Sequence, residues 1–528
     1  MARERQILGP PGTGKTTYIK HLVEGWVDAG EYEAQDIVLT SFTRSAAAVL
    51  AGAVAVPREN IATLHALAFR ALGSPPIAEK GKLAAQWDEQ HATSPSWQVG
   101  SGAVDINDGL TGPDSKVGEM LRRYSLARAR MVDAAHPLFV SSAPFAVAWE
   151  DFKTETESMD FTDLLDQAYQ KWDGLPGMQP VLMVDEAQDM TPLQWRLARE
   201  WGGSADCELF MVAGDPAQAI FGFAGSDPAQ FLIDLLPAQR ELLPRSYRMP
   251  PEVQVHAERF LQRHSGSLSK ERNYTPRQAV GRVRQMLGAT WRTPGSLIRH
   301  IEEAVTEGRS VMILATCAYM LQPILTRLRQ DGLPFHNPYR RSNGAWNPLG
   351  AAHRSASDGE GQTSTVERLL SFLGGSVRLW PEMVRYQEFV MRGAKKRLEE
   401  EATPDVLREW GKAELIFAWE GRDLDWLGGH VLPQYQKPLD YAATIIKRRG
   451  RGSLLDIPQI IPSTIHAAKG GEADVVIIFP DVSQAGYLEL YGSTEGRDAA
   501  IRLGYVALTR AREELWLCQP VAAKASMW

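Results

Sequence analysis

The chain has 528 residues, more than one hydrophobic core ordinarily supports, so several compact units are expected. With 44% hydrophobic and 23% charged residues it has the composition of an ordinary globular protein, and its net charge of -7 excludes a globally basic nucleic-acid binder. A basic stripe along one groove remains compatible with that charge.

The three cysteines, Cys207, Cys317 and Cys518, lie far apart. That spacing fits a reduced compartment and excludes a disulfide framework or a zinc cluster. No apolar run approaches membrane-spanning length, and residues 1–6 are polar and charged rather than signal-like. A soluble, unsecreted, cytoplasmic protein is expected, without a membrane partner.

In chain order, strand-like apolar runs occur at 6–8, 37–40, 181–184 and 209–213, and again at 311–315, 475–479 and 514–517. They alternate with helical stretches, which is the pattern of an α/β fold with parallel sheets. A long stretch of different character interrupts each set. The first, 70–159, holds a Gly/Ser/Asn/Asp-rich patch at 94–115, read as an exposed loop, and then a basic helical stretch at 119–131 with Arg122, Arg123, Arg128 and Arg130. The second, 341–455, reads as largely helical around 381–419 and ends in the basic run 447–452. Such charge runs are more often solvated faces than duplex contacts. The expected layout is two α/β cores, each with an inserted, largely helical subdomain. The first core comprises 1–69 and 160–244, with 70–159 inserted. The second comprises 245–340 and 456–528, with 341–455 inserted.

Gly9-Pro10-Pro11-Gly12-Thr13-Gly14-Lys15-Thr16 fits the phosphate-loop pattern G-x-x-x-x-G-K-[ST]. It follows a short strand and opens a helix whose Tyr18, Ile19, Leu22, Val23 and Trp26 recur at helical spacing. Glycines there let backbone N–H groups wrap phosphates, and the helix N-terminus adds positive potential. Lys15 is expected on the β/γ-phosphates and the Thr16 hydroxyl on Mg²⁺. The run Val181-Leu182-Met183-Val184 then delivers Asp185 and Glu186 at the end of a buried strand, which suits metal-assisted phosphoryl transfer. Asp185 is expected to hold Mg²⁺, and Glu186 to orient and deprotonate the attacking water. Arg248 and Arg510 are candidate arginine fingers, although either alone reads as a surface ion-pair residue.

Taken together, these motifs resemble the superfamily 1 DNA helicases of the UvrD/Rep/PcrA type. Residues 9–17 resemble motif I, Thr40-Ser41-Phe42-Thr43-Arg44-Ser45-Ala46-Ala47 motif Ia, and Thr63-Leu64-His65 motif Ib. Met159-Asp160-Phe161-Thr162-Asp163-Leu164-Leu165 resembles the segment before motif II, and Asp185-Glu186-Ala187-Gln188-Asp189 resembles motif II itself. Gly214-Asp215-Pro216-Ala217-Gln218 with Ala219-Ile220-Phe221-Gly222-Phe223 resembles motif III, and Ser246-Tyr247-Arg248 motif IV. Thr464-Ile465-His466-Ala467-Ala468-Lys469-Gly470-Gly471-Glu472 resembles motif V, and Tyr505-Val506-Ala507-Leu508-Thr509-Arg510-Ala511 motif VI.

The resemblance implies two RecA-like P-loop cores and an ATP-dependent motor moving 3′→5′ on single-stranded DNA and separating duplexes. ATP and Mg²⁺ are the implied cofactors, with DNA repair or replication as the setting and the nucleoid of a bacterial or phage-infected cell as the place. It places Gly9, Pro10, Pro11, Gly12, Thr13, Gly14, Lys15, Thr16 and Thr17 around the phosphates, Tyr247 on the base and Glu472 near the ribose. Gln218 would sense the γ-phosphate, with Arg248 and Arg510 contacting it. Phe42, Phe221 and Phe223 would line the strand's path, with Thr43, Arg44, Thr63, His65, Thr464 and His466 as backbone contacts. From pattern alone Phe42 reads as core, because it follows a buried strand. Single-stranded DNA and single/double-strand junctions are the implied partners of a monomer, and a protein loading partner is left open.

The chain departs from the family in three places. The phosphate loop starts at Gly9, so the glutamine motif that reads adenine upstream has no usual place, and strict ATP preference is not implied. Ala224 stands where the family more often carries arginine. Both insertions look short, and the chain ends soon after motif VI, leaving little room for an appended nuclease. A translocase that displaces proteins without opening duplexes is therefore the alternative reading.

Overall fold

The computed structural model describes residues 4–42, 47, 50–52, 54–99, 118–232, 235–266, 268, 272–338, 433–450, 453, 456–522 and 526–527. Thr43 and Arg44, most of the 94–115 patch and the helical stretch at 381–419 lie outside them. Contacts divide the chain into two compact units, Met1–Gly281 with Leu488–Arg510, and Arg282–Tyr487 with Ala511–Trp528.

The first unit is built on a six-stranded parallel sheet of order β3-β2-β4-β5-β1-β6. Its strands are β1 (Glu4–Leu8), β2 (Ile37–Ser41), β3 (Ile61–Ala62), β4 (Val181–Asp185), β5 (Leu209–Gly214) and β6 (Arg240–Leu242). Every residue of β2, β4 and β5 is buried, as expected of strands covered on both faces. Helix α1 (Lys15–Asp28) lays Ile19 and Val23 on one face with Ile7, Leu39, Met183 and Met211. On the other face, α2 (Leu64–Ala71) joins two later helices to cover Val38, Leu182, Val184 and Phe210.

Residues 72–160 leave this sheet and return. They contribute α3 (Gly81–Gln90), α4 (Glu119–Ala129) and α5 (Pro137–Glu155), which enclose Trp87, Phe145, Trp149 and Phe152 in a separate core. Asp160 then N-caps α6 (Phe161–Lys171) in a capping box with Asp163. Glu150, Asp160 and Asp163 converge closely enough to suggest a cation site. Arg128 and Lys153 already occupy that cluster: Arg128 reaches Asp160 at 2.9 Å and Asp163 at 2.5 Å, and Lys153 reaches them at 3.0 and 2.6 Å. The acids therefore tie α4 and α5 to the start of α6. The basic stretch at 119–131 is thus partly an internal anchor rather than a solvated face. Helix α7 (Pro192–Gly203) follows β4 and completes this side of the sheet.

Helix α8 (Pro251–Leu261) closes the first part of this unit. The second unit has a five-stranded parallel sheet of order β7-β11-β10-β8-β9. Its strands are β7 (Arg282–Met286), β8 (Val311–Ala315), β9 (Ile460–Thr464), β10 (Ala473–Ile478) and β11 (Ala511–Cys518). Helices α9 (Leu297–Thr306), α10 (Gln322–Gln330) and α11 (Pro433–Arg449) contribute Leu297, Ile301, Ile324, Leu328 and Ile445 to its core. After β10 come α12 (Gln484–Gly492) and α13 (Thr494–Leu508). Helix α13 belongs with the first unit, where Asp498 accepts from the Ser265 backbone N–H at 2.9 Å and Arg502 donates to the Ala219 carbonyl at 2.8 Å.

The fold is therefore α/β with two parallel sheets, as the alternation implies. By contacts, residues 245–281 and 488–510, which the sequence layout places in the second core, group with the first unit. Among the described residues, no helix is long and apolar enough to cross a membrane.

Candidate active site

The phosphate loop joins β1 to α1 as the sequence pattern requires. The Gly9 N–H donates to the Gly214 carbonyl at 3.0 Å, which stitches the loop to the end of β5. Gly12 and Gly14 adopt φ of 73° and 76°, the left-handed region that favours glycine. A Cβ on Gly12 would also lie 2.4 Å from Arg248 Cβ and 2.8 Å from Ser246 Oγ. The motif IV segment thus sits directly against the loop. The Tyr247 N–H donates to the Gly12 carbonyl at 2.7 Å and Ser246 Oγ to the Pro11 carbonyl at 2.9 Å. The Tyr247 ring stays 65% exposed beside Gly14, open to stacking.

Lys15, at the start of α1, reaches the Gly9 carbonyl and Glu186 Oε1, each at 3.3 Å. Burial pulls its ammonium down, but Glu186, Asp185 and Asp215 outweigh that and leave its pKa above the ordinary lysine value. Thr16 Oγ1 lies 3.5 Å from Asp185 Oδ2. Asp185 is buried at the end of β4, and its pKa is pushed up to about 6. Burial is the first cause and the Glu186 charge the second, with Lys15 pulling the other way. The side chains of Thr16 and Asp185 therefore offer a hydroxyl and a carboxylate, a hard oxygen pair suited to Mg²⁺.

Glu186 takes a left-handed backbone, φ 54° and ψ 35°, unusual for a non-glycine residue and of the kind that clusters at functional sites. The turn is held by Gln188, whose amide donates to Glu186 Oε2 at 2.6 Å and whose Oε1 accepts from the Asp215 N–H at 3.0 Å. Gln188 thereby links the end of β4 to the end of β5. On the β5 side, Gln218 donates to Asp215 Oδ2 at 2.8 Å, and its Oε1 accepts from Arg510 Nη2 at 2.8 Å. Arg510 is 1% exposed and donates through Nε to the Val506 carbonyl at 2.8 Å. Arg248 Nη1 donates to the Thr509 carbonyl at 3.3 Å, so both arginines meet at the end of α13.

Lys15, Thr16, Asp185, Glu186, Gln218, Tyr247, Arg248 and Arg510 thus gather within one unit. Glu472, Thr464 and His466 lie in the other unit. There Arg512 approaches Glu472 at 3.7 Å, and Thr464 Oγ1 accepts from the Ala467 N–H at 3.4 Å.

The aromatic candidates separate. Phe42 and Phe221 are 4% and 5% exposed and pack on each other with centroids 5.5 Å apart. They offer no face to a base here, because both rings are buried. Phe223 is 37% exposed, with its edge against Phe221. The Phe42 result agrees with the core place its pattern suggests. Thr63 caps α2, its Oγ1 accepting from the Ala66 N–H at 3.3 Å, and His65 packs edge-on against Phe161.

Sequence reading assigns no role to Gln188, Asp215, Arg272 or Tyr505. Gln188, Asp215 and Tyr505 stand inside quoted motifs, so proximity could have flagged them. Arg272 stands in none.

Fold and site together define a P-loop nucleotide-binding protein with two arginines brought to the phosphate loop's unit by distant segments. A family model described as AAA domain matches residues 2–224, and one described as UvrD-like helicase C-terminal domain matches residues 461–518. The chain is 28% identical to ATP-dependent DNA helicase UvrD2 of Mycobacterium tuberculosis (strain ATCC 25618 / H37Rv) over 300 residues, covering 48% of this chain and 41% of that protein. It is 25% identical to DNA helicase IV of Escherichia coli (strain K12) over 316 residues, covering 51% and 46%. A 54-residue stretch is 44% identical to RecBCD enzyme subunit RecB of Mycolicibacterium smegmatis (strain ATCC 700084 / mc(2)155), covering 10% and 5%. The chain therefore spans less than half the length of these curated relatives. The two family models and these relatives support its likeness to the UvrD/Rep type of superfamily 1 helicases.

Proposed function

We propose that this protein hydrolyses ATP to move 3′→5′ along single-stranded DNA and to separate duplex strands at single/double-strand junctions. The observation that carries the reading is the run of polar contacts from Lys15 on the phosphate loop through Glu186, Gln188, Asp215 and Gln218 to Arg510. Lys15 holds the β/γ-phosphates, and Glu186, fixed by Gln188, orients the attacking water and accepts its proton. Arg248 and Arg510 neutralise charge on the transferring phosphoryl, and Gln218 joins that group to Arg510. Thr16 and Asp185 would hold Mg²⁺, which supplies charge neutralisation at the phosphates. Tyr247 offers its exposed ring to the base, and Glu472 is assigned to the ribose.

Movement requires that the grip on DNA differ between ATP-bound and ATP-free states, since equal affinity in both produces no shift. Phe223 supplies a sequence-tolerant stacking face. Thr43, Arg44, Thr63, His65, Thr464 and His466 are proposed backbone contacts, and residues 70–159 and 341–455 are proposed as inserted subdomains. The work is assigned to the cytoplasm, in DNA repair or replication, by a monomer.

The test is strand separation of short duplexes with a 3′ or a 5′ single-stranded tail, with ATP and Mg²⁺ at low salt, where phosphate contacts are strongest. Separation of the 3′-tailed duplex alone is expected. Preference for the 5′ tail overturns the direction. DNA-stimulated hydrolysis without separation of either duplex leaves a translocase that displaces bound proteins.

A further inference from the structure

The Asp215 carboxylate is fully buried at the end of β5 and accepts four hydrogen bonds. Arg272 Nη1 donates to Oδ1, Arg272 Nη2 to Oδ2 at 3.0 Å, the Ala217 N–H to Oδ1 at 3.1 Å and Gln218 Nε2 to Oδ2 at 2.8 Å. An ionised carboxylate only accepts, so Gln218 must turn its NH₂ group toward Asp215. Its Oε1 is then left facing Arg510 Nη2 at 2.8 Å. The reversed amide would set its carbonyl against the carboxylate and its NH₂ against the guanidinium, two repulsive contacts in place of two attractive ones.

Arg272 also reaches the other side of this arrangement. Its Nη2 donates to the Tyr505 hydroxyl at 2.6 Å, and its Cζ lies 5.2 Å from the Tyr505 ring centroid. Tyr505 stands on α13, one turn before the helix hands on to Arg510. Its hydroxyl donates in turn to Glu258 Oε1 at 2.9 Å, which also accepts from the Tyr274 hydroxyl at 2.8 Å. The Arg272 and Asp215 side chains are 2% and 0% exposed, so solvent neither screens nor replaces these bonds.

We propose that Arg272 is a positioning residue for ATP hydrolysis, holding Asp215 and Tyr505 together so that Gln218 and Arg510 meet in one orientation. The assignment rests on the reading above, in which Gln218 and Arg510 act at the γ-phosphate. Arg272 acts through those two side chains, not on the nucleotide. Lysine cannot take its place, because one ammonium lacks the planar fork that serves both carboxylate oxygens and the phenol at once.

The test compares the full chain with Arg272→Lys, Tyr505→Phe, Gln218→Ala and the Arg272→Lys/Gln218→Ala double variant. It measures kcat and KM for ATP with and without single-stranded oligothymidylate, together with melting temperature. In Arg272→Lys, DNA-stimulated kcat should fall about tenfold or more while KM changes less than about twofold. Tyr505→Phe, which removes one hydroxyl, should show a smaller fall of the same kind and carries the test should Arg272→Lys not fold. The double variant should be no slower than Gln218→Ala alone, because the two residues act as a unit. Parental kcat in both Arg272→Lys and Tyr505→Phe, a loss that multiplies in the double variant, or a loss that only follows melting temperature overturns the proposal. A parent chain that hydrolyses no ATP with or without DNA would instead sink the functional reading itself.

Discussion

The two parallel sheets are made of the same kind of buried apolar strand but finish differently. In the first unit the ends of β1, β4 and β5 carry the Gly9 loop, Asp185 with Glu186, and Asp215. In the second unit Thr316 and Asp481, past the ends of β8 and β10, bond within the unit itself. Thr316 Oγ1, just past β8, donates to the Asp481 carbonyl at 2.7 Å, and Asp481 Oδ1 accepts from the Val521 N–H at 2.8 Å. A parallel sheet delivers whatever follows its strands to one edge, and the first sheet delivers the phosphate loop and the Asp185-Glu186 pair there. A second difference lies in connectivity. The first unit is completed by a segment from far down the chain, which brings Arg510 and Tyr505 to it. Chain halves and working units are therefore not the same division.

The sharpest way to break that comparison is to remove the returning arginine. Arg510→Ala should lower the hydrolysis rate by about 10³–10⁵ with nucleotide binding retained. Arg512→Ala, two residues on but in the second unit, should leave the rate within a fewfold. Steady-state ATPase assays with titration of a fluorescent ATP analogue distinguish the two, and equal effects would erase the distinction between the units.

Within the first unit, the buried and exposed phenylalanines should part company. Phe42→Ala should cost about 3–5 kcal/mol of stability, read by chemical denaturation. Phe223→Ala should leave stability nearly unchanged but weaken single-strand binding by about 1–3 kcal/mol, read by fluorescence anisotropy. A Phe42 variant that melts like the parent and loses only DNA affinity would contradict its place in the core.

The last prediction concerns the titration of Asp185. Its folded pKa, pushed up to about 6, lies above the carboxylate's ordinary value of 3.8. The folded protein therefore holds a proton that the unfolded chain releases. The stabilisation is complete at acidic pH and is lost as pH rises through about 6. By pH 7, up to about 3 kcal/mol should be gone in metal-free buffer. Asp185→Asn should flatten this slope in melting curves, and Glu186→Gln, by removing the like charge, should move the transition to lower pH. A slope unchanged in both variants would mean that another group titrates there.

The legibility of the fold follows strand position. The four strands absent from the sequence reading, β3, β6, β7 and β9, are the four edges of the two sheets. Central strands are covered on both faces and read as continuous apolar runs, whereas an edge strand can be short, polar or proline-bearing. Thus β3 has two residues, β7 reads Arg-Val-Arg-Gln-Met, and β9 contains Pro462. The phosphate loop and the Asp185-Glu186 pair were legible because their chemistry needs adjacent residues at fixed spacing. Arg272 was not, since its partners Asp215 and Tyr505 stand 57 and 233 residues away.

By itself, then, the sequence determined the fold class, the nucleotide loop and the family resemblance, all of which are written in short contiguous patterns whose spacing the backbone geometry enforces. Tertiary structure alone decided that 488–510 groups with the first unit, that Phe42 packs against Phe221, and that Arg272 meets Asp215 and Tyr505. Those outcomes depend on which distant side chains share a buried volume, where an unpaired charge or an unfilled space is costly, and no local pattern records that choice.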